Sequence, residues 1–395
     1  MHWKTKRVWP SFIIIKDFRR EILHMHILCK QELLMNSINI ALKACSTKTT
    51  MPILGCILIK AYDNQVTLVG YNLELGIEST IQVEVIEEGS IVLESKIFSE
   101  IIRKMPNEIV ELSTDGSQMA RIICEDSEFV IAGQAGQQFP ELTQVERYKP
   151  YTLSQHTFKE MIRQTIFSVA QEESRPILTG EMLQIKDGFF RLVSFDGNRI
   201  SYRQTPLSTE YETQEVVVPG RTLSELSKIL SSDETDMINL YFEEKNILFD
   251  LGECKVVSRL LEGQFLKYEH IFSSDYATRI KVDCKKFLMR IERAALISRE
   301  GKNPIKIKID GDNMIITSKA ELGTAREKLG IELEGNELSI GFNPKFLIEA
   351  LKSIDDDRIC IHFISPLTPC VINPTQGDHY KYLIAPVRMN LTHND

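Results

Sequence analysis

The fold is decided by Met51-Pro52-Ile53-Leu54-Gly55, Arg175-Pro176-Ile177-Leu178-Thr179-Gly180 and Asn303-Pro304-Ile305-Lys306, which repeat one theme at intervals of 124 and 128 residues. Each stretch follows a segment whose apolar residues recur at helical spacing. A period near 125 residues is too long for a solenoid unit and matches a whole small domain. The sequence therefore predicts three similar domains.

Two further landmarks keep the same register. The segment 99–104 returns 125 residues later as 224–229, and a weaker copy lies at 347–352. Phe139 and Phe265 are separated by 126 residues. A recurring Pro-Ile-Leu tripeptide alone could equally arise by chance. Three landmarks in the same order and at the same spacing indicate triplication.

Helix and strand patterns alternate within each repeat and predict an α+β fold, with two helices packed on antiparallel sheets three times over. Residues 57–69 are typical of a hairpin around the turn Asp63-Asn64. The predicted domains are 25–148, 149–272 and 273–395, after a leader, 1–24, of unknown role. The predicted helices are 30–45, 95–104, 154–171, 219–232, 284–302 and 343–352.

The composition excludes disorder and membrane spanning. The chain is 43% hydrophobic and 26% charged, and no apolar run approaches the roughly 18 residues that cross a bilayer. Its eight cysteines contain no Cys-x-x-Cys pair, and neither they nor the eight histidines suit a zinc site. We expect reduced thiols in a cytoplasmic protein without a metal or cofactor.

Charge is separated by structural element. The six predicted helices carry 17 basic and 7 acidic residues, a net of +10, whereas the whole chain is −8, which leaves −18 elsewhere. Lysine and arginine are good helix formers, and this explains part of the excess without any partner. The other interpretation is a positive surface that contacts nucleic-acid phosphates without reading sequence.

Several strings carry a family resemblance over residues 25–389. They are 175–180 followed by Asp196-Gly197-Asn198-Arg199, then 261–265, 341–344 and 383–389. In order and spacing, the chain resembles the bacterial DNA polymerase III beta subunit, the DNA sliding clamp. The resemblance implies a ring of two chains joined head to tail, which encircles double-stranded DNA and tethers the replicative polymerase for processive synthesis. It implies no catalytic activity.

The resemblance also implies site residues. Those similar to DNA-facing positions are Lys48, Arg103, Arg175 and Lys228. Those similar to the homodimer interface are Phe129, Ile131, Leu296 and Ile297. A groove would receive short linear peptides of the polymerase III alpha subunit, the clamp loader and repair proteins. Its matching residues are Leu178, Phe195, Gly197, Asn198, Arg199, Ile200, Leu266, His270, Ile271, Leu383, Ile384, Ala385, Pro386, Val387, Arg388 and Met389. Without the resemblance, burial in a core would be the better explanation of the apolar members.

The chain departs from the family pattern at three groove positions. Asn198 stands where histidine is common, Phe195 replaces a small residue, and Ala385 replaces a larger apolar one. We expect a reshaped groove. A specialised clamp paralogue for repair or a mobile element therefore remains an alternative function.

Other classes of function fit less well. Asp196-Gly197 with His156 or His270 could be imagined as acid–base chemistry, and 355–357 as a metal site. The Asp-Gly pair is better explained as a hairpin turn, and the three aspartates as a solvated loop. There is no P-loop or nucleophile elbow. A single-strand binder would need exposed stacking aromatics, which the predicted helices do not supply.

Overall fold

A computed structural model describes residues 24–46, 49–171, 174–272, 275–298 and 303–388. The helices are α1 (Gln31–Ala41), α2 (Ser95–Lys104), α3 (Gln155–Thr165), α4 (Gly220–Ser227), α5 (Cys284–Ala295) and α6 (Pro344–Ser353). The strands are β1 (His26–Lys30), β2 (Cys56–Tyr62), β3 (Gln65–Tyr71), β4 (Leu75–Gln82), β5 (Glu84–Glu87), β6 (Gly89–Glu94), β7 (Ile109–Thr114), β8 (Met119–Cys124), β9 (Ser127–Ala135), β10 (Tyr151–Ser154), β11 (Gly180–Lys186), β12 (Phe189–Phe195), β13 (Arg199–Pro206), β14 (Gln214–Pro219), β15 (Met237–Phe242), β16 (Asn246–Asp250), β17 (Cys254–Arg259), β18 (Thr278–Asp283), β19 (Ile305–Asp310), β20 (Asn313–Ala320), β21 (Gly323–Gly330), β22 (Glu332–Gly335), β23 (Leu338–Phe342), β24 (Arg358–Phe363), β25 (Cys370–Pro374) and β26 (Tyr380–Ile384).

The first compact unit holds the described residues up to Val69 and Thr80–Pro140. Its strands pair antiparallel in the order β5-β1-β7-β8-β9-β6-β2-β3. Helices α1 and α2 contact each other, and their apolar faces share one buried cluster with the strands. Phe98 of α2 and Ile38 of α1 are fully buried there.

The second compact unit holds residues 70–79 and the described residues from Glu141 onward. Its antiparallel strands run in three series: β10-β15-β16-β17-β4, β14-β11-β12-β13-β26-β25-β24-β18-β22, and β21-β20-β19-β23. Phe158 of α3 packs edge-on against Phe190 and stacked on Phe249, with ring centroids 5.5 and 5.9 Å away. Helices α5 and α6 lie over a separate cluster that includes Phe287 and Phe342.

The predicted helices are confirmed in number and place among the described residues. Side-chain caps fix where several begin: the Ser154 hydroxyl accepts from the Thr157 N–H, and an Asp283 carboxylate oxygen accepts from the Lys286 N–H. Helix α3 ends at Thr165, before the predicted 171, and helix α4 ends at Ser227, before the predicted 232. Helix α5 ends at Ala295, and residues 299–302 of its predicted extent lie outside the described residues.

One feature of the repeat was not predicted from the sequence. The predicted helices 30–45, 154–171 and 284–302 were the first elements of their repeats, whereas in the structure a short strand, β1, β10 or β18, precedes each of them. The predicted hairpin is confirmed: β2 pairs with β3, and both turn residues, Asp63 and Asn64, have positive φ, at 51° and 57°. The α+β class, with helix pairs packed on antiparallel sheets, is confirmed as well.

All eight cysteines lie within the described residues, and all are buried free thiols, as predicted. Burial raises the pKa of Cys45 to about 12 and that of Cys29 to about 11, so these thiols stay protonated and unreactive at neutral pH. Within the described ranges, no helix has the length and apolar character to cross a bilayer.

Candidate partner-binding groove

The proposed groove begins with an apolar row across three neighbouring strands. Phe195 of β12 lies directly opposite Ile200 of β13, which lies directly opposite Leu383 of β26. Directly opposed residues project from the same face of a sheet, so the three side chains form one row. Ile200 and Leu383 are buried in a cluster with Leu178, and Phe195 packs against it half-buried. The structure therefore brings these four predicted groove residues together.

A tight turn between β12 and β13 borders this row. One carboxylate oxygen of Asp196 accepts from the N–H groups of Asn198 and Arg199, at 2.9 and 3.1 Å. Gly197 has φ of +99°, a left-handed conformation that favours glycine. Asn198 is exposed, and its carbonyl accepts from the Ala385 N–H at 2.8 Å. The predicted Asp-Gly turn is confirmed, and it fastens the segment that follows β26.

Arg199 is only 6% exposed, although the prediction placed it on a partner-binding surface. Its Nε donates to Asp196 at 2.8 Å and its Nη1 donates to Glu349 at 2.5 Å. Its Nη2 donates to the Phe167 carbonyl at 2.5 Å. The guanidinium carbon lies 4.6 Å from the Phe346 ring centroid and 5.3 Å from that of Phe167. The whole guanidinium is thus bound within the protein.

The other walls of the groove come from two irregular segments. In 261–272, Leu266 is half-buried against the apolar cluster, while His270 and Ile271 are exposed. A cavity of about 380 Å³ lies between 264–270 and the sheet residues Met182 and Glu215. After β26, Ala385 and Pro386 are half-buried, and Val387 and Arg388 are exposed. Met389 lies outside the described residues.

Three residues that the sequence analysis did not single out contact this site. Phe167 follows α3, and Phe346 and Glu349 belong to α6. The family-like string 341–344 lies close to Phe346 in the sequence, and it was the signal that could have pointed to this residue. Glu349 is separated from Arg199 by 150 residues, so no local pattern links the two.

Predicted DNA-contacting residues lie at helix ends and in a loop. Arg103 is exposed in the last turn of α2, and it has no ion-pair partner among the described residues. Arg175 is exposed just before Pro176. Lys228 caps the end of α4 and pairs with Glu225 at 2.8 Å. Lys48 lies outside the described residues.

Predicted interface residues include large exposed apolar side chains. Phe129 on β9 is 42% exposed, whereas its neighbour Ile131 is partly buried against the core of the first unit. Leu296, just after α5, is 78% exposed, and Ile297 is half-buried. Among the described residues, β21 is an edge strand of its sheet.

The catalytic and metal-site interpretations find no support in the geometry. Asp196 is used by its own turn and by Arg199. The three aspartates do form a loop, but the expectation of mere solvation was incomplete. Asp355 accepts from Arg163, Asp356 from the Tyr380 hydroxyl, and Asp357 from Lys285. The described residues contain no cluster of His, Cys, Asp and Glu suited to a metal ion.

Three helix pairs packed on antiparallel sheets match the architecture of a DNA sliding clamp. Sequence profiles of the DNA polymerase III beta subunit match in order along the chain: its N-terminal domain at 25–143, its central domain at 152–267 and its C-terminal domain at 269–388. The chain therefore belongs to the DNA polymerase III beta subunit family, whose members are processivity factors and not catalysts.

Relatives match along nearly their whole length. The beta sliding clamps of Staphylococcus epidermidis and Halalkalibacterium halodurans are each 36% identical to this chain, cover 92% of it, and are themselves covered to 99% and 100%. Among solved structures, a putative DNA polymerase III beta subunit from Eubacterium rectale is 40% identical, with a TM-score of 0.90, and covers 92% of this chain and 100% of its own. The sliding clamp of Bacillus subtilis is 33% identical, with a TM-score of 0.90, over 93% and 100%.

Proposed function

We propose that two copies of this chain close head to tail into a ring around duplex DNA and tether the replicative polymerase. The observation that carries the proposal is the run of three family profiles through residues 25–388 of a chain that covers its relatives almost completely. Such a ring stays on DNA by topology. It needs no tight or sequence-specific contact.

Exposed cations at helix ends and in a loop would form a surface that faces DNA. Arg103, Arg175 and Lys228 are exposed and would contact phosphates, together with Lys48. Contacts with phosphates carry no sequence information and are screened by salt, so the ring could slide. The acidic remainder of the chain would discourage binding of nucleic acid elsewhere on its surface.

The apolar row of Phe195, Ile200 and Leu383 would anchor short linear peptides of the polymerase III alpha subunit, the clamp loader and repair proteins. A few desolvated apolar side chains supply most of the affinity in such grooves, while polar neighbours fix the orientation of the peptide. Exposed Asn198 and His270 are suited to that second role. Arg199 would act indirectly, because its guanidinium is already bound.

The ring interface would form between Phe129 and Ile131 of one copy and Leu296 and Ile297 of the other. Two of these side chains, Phe129 and Leu296, leave large apolar surfaces exposed in the single chain. A head-to-tail contact is heterologous and closes into a ring only if its rotation returns to the first subunit. We place the domain boundaries at 25–148, 149–272 and 273–395, and the protein in the cytoplasm.

Retention on circular DNA tests this function directly. A clamp loader first places the chain on a nicked circular plasmid. The complex is isolated by gel filtration in about 0.5 M salt, which screens phosphate contacts. The plasmid is then linearised. We expect the chain to co-elute with the circle and to be lost after the cut. Retention on the linear form would contradict encirclement and indicate ordinary binding.

A further inference from the structure

We infer that Glu349 is a positioning residue of the partner groove, acting through Arg199. The inference rests on the proposed function of the groove and assigns a role to a helix residue that does not line the apolar row. Glu349 lies on α6, and it is the partner that ties the buried guanidinium to that helix.

The guanidinium is held on every side. Asp196 binds its Nε, Glu349 its Nη1 and the Phe167 carbonyl its Nη2, while the rings of Phe346 and Phe167 flank it. A planar fork satisfied in this way has one orientation, unlike a flexible ammonium group. The side chains of Arg199 and Asp196 are 7% and 14% exposed, so solvent screens their contact weakly.

A continuous chain of hydrogen bonds leads from α6 to the groove. Glu349 accepts from Arg199, and Arg199 donates to Asp196. Asp196 also accepts from the Asn198 N–H, and the Asn198 carbonyl accepts from the Ala385 N–H. Asn198 and Ala385 are hydrogen-bonded neighbours that continue the β13–β26 pairing beside the apolar row. The contact with Glu349 therefore helps to position this border of the proposed groove.

Charges around this contact are few and defined. The second oxygen of Glu349 lies 3.9 Å from Nζ of Lys345 on the same helix, and Lys345 is exposed. Neutralising Glu349 leaves Arg199 paired with Asp196 alone, at a buried position. Removing one partner of a buried ion pair is destabilising. The effect should reach the turn 196–198, because Asp196 binds the same guanidinium.

A matched control is a different contact nearby, which joins α3 to the loop after α6. Arg163 donates to Asp355 at 2.5 Å, and Gln164 donates to the same oxygen at 3.1 Å. This contact joins similar elements without touching the turn. Asp355→Asn therefore tests whether any loss at this junction affects the groove.

The experiment uses the full chain and a fluorescent synthetic peptide copied from the clamp-binding segment of a polymerase III alpha subunit. Glu349→Gln should raise the Kd for the peptide at least about fivefold. It should also speed amide exchange within 196–200, measured by hydrogen–deuterium exchange mass spectrometry. Arg199→Lys, which keeps the charge but loses the fork, should do the same. Asp355→Asn should leave both measurements unchanged.

An unchanged Kd in Glu349→Gln and Arg199→Lys, or an equal loss in Asp355→Asn, would overturn the positioning role alone. If the wild-type chain does not bind the peptide, the proposed groove function fails together with the inference.

Discussion

At the scale of single residues, Glu181 on β11 is a buried carboxyl group without a charged partner among the described residues. It is completely buried, and desolvation raises its pKa to about 8. The Thr165 hydroxyl donates to one of its oxygens at 3.2 Å, and the other has no hydrogen-bond partner in the part of the chain that the structure describes. The native state therefore favours the protonated form.

This predicts that stability falls as the pH rises. The native carboxyl keeps its proton up to pH about 8, whereas the unfolded chain releases it near 4.3. Between these values the native state binds more protons, so the free energy of unfolding decreases with pH and levels off above about 8. Glu181→Gln should remove this slope and stabilise the protein by a few kcal/mol at pH 8.5, on the order set by the shift. Urea unfolding across pH 5–9 measures it.

The control is Glu262→Gln, at an exposed position. It should keep the wild-type slope. A slope that survives in Glu181→Gln would show that other groups produce it.

Residue-level prediction from sequence succeeded where a pattern was local. Burial of Leu178, Ile200 and Leu383 was anticipated as the alternative to a groove, and the structure has all three buried in one cluster, against which Phe195 packs. The engagement of Arg199 could not be predicted, because its partners Phe167 and Glu349 are distant in the sequence.

At the scale of elements, α5 and β21 are joined by a charge network. Arg290 and Arg293 of the helix both donate to Glu327 of the strand, at 2.8–2.9 Å. The pKa of Glu327 is lowered to about 2, chiefly by the hydrogen bond from Arg293. Such pairs also reduce the positive field of the helices, a fact that a count of charges along the sequence does not reveal.

Glu327→Gln should lower the free energy of unfolding by about 1 kcal/mol at pH 7, the value typical of a partly exposed pair. The pKa of Glu327 is lower in the folded than in the unfolded protein, so its ionised form stabilises the fold at pH values above the unfolded pKa. This contribution disappears as the pH falls from about 4.3 toward 2. Denaturation at pH 7 and pH 3 measures the difference. Glu332→Gln, which breaks an exposed pair with Arg358, is the control and should cost less. Equal losses at both pH values would contradict the assignment.

The presence of helices was easier to predict from the sequence than the presence of short strands. Helices of ten or more residues repeat their apolar positions often enough to be recognised, and α1, α2 and α6 were placed well. The missed strands β1 and β10 are five and four residues long. So short an alternation cannot be distinguished from the start of the helix that follows.

At the scale of the whole molecule, Ile297→Arg should produce monomers. A charged side chain at a half-buried apolar position would be desolvated without a partner in the proposed interface. Sedimentation velocity on wild type and variant measures the change, and Leu367→Arg, at an exposed loop position, is the control. If the Ile297 variant sediments as the wild type does, the interface lies elsewhere.

Triplication was predictable because its period appears in the sequence itself, at 52, 176 and 304. Ring closure and the interface came from the family resemblance, since no periodicity within one chain specifies what another copy contacts. Charge segregation suggested a surface for nucleic acid, but on its own it left ordinary helix composition as an equal explanation.

The pairing of β13 with β26 has a mechanical consequence. The two strands pair along a register that runs from Arg199 opposite Ile384 to Arg203 opposite Tyr380. Their main-chain hydrogen bonds join the central and last thirds of the chain in one sheet. A shift of this register by one residue would turn Leu383 to the opposite face of the sheet, so the pairing resists sliding. If a clamp loader opens the proposed ring, this junction should move as one rigid unit, and the strain of opening should fall on weaker contacts elsewhere.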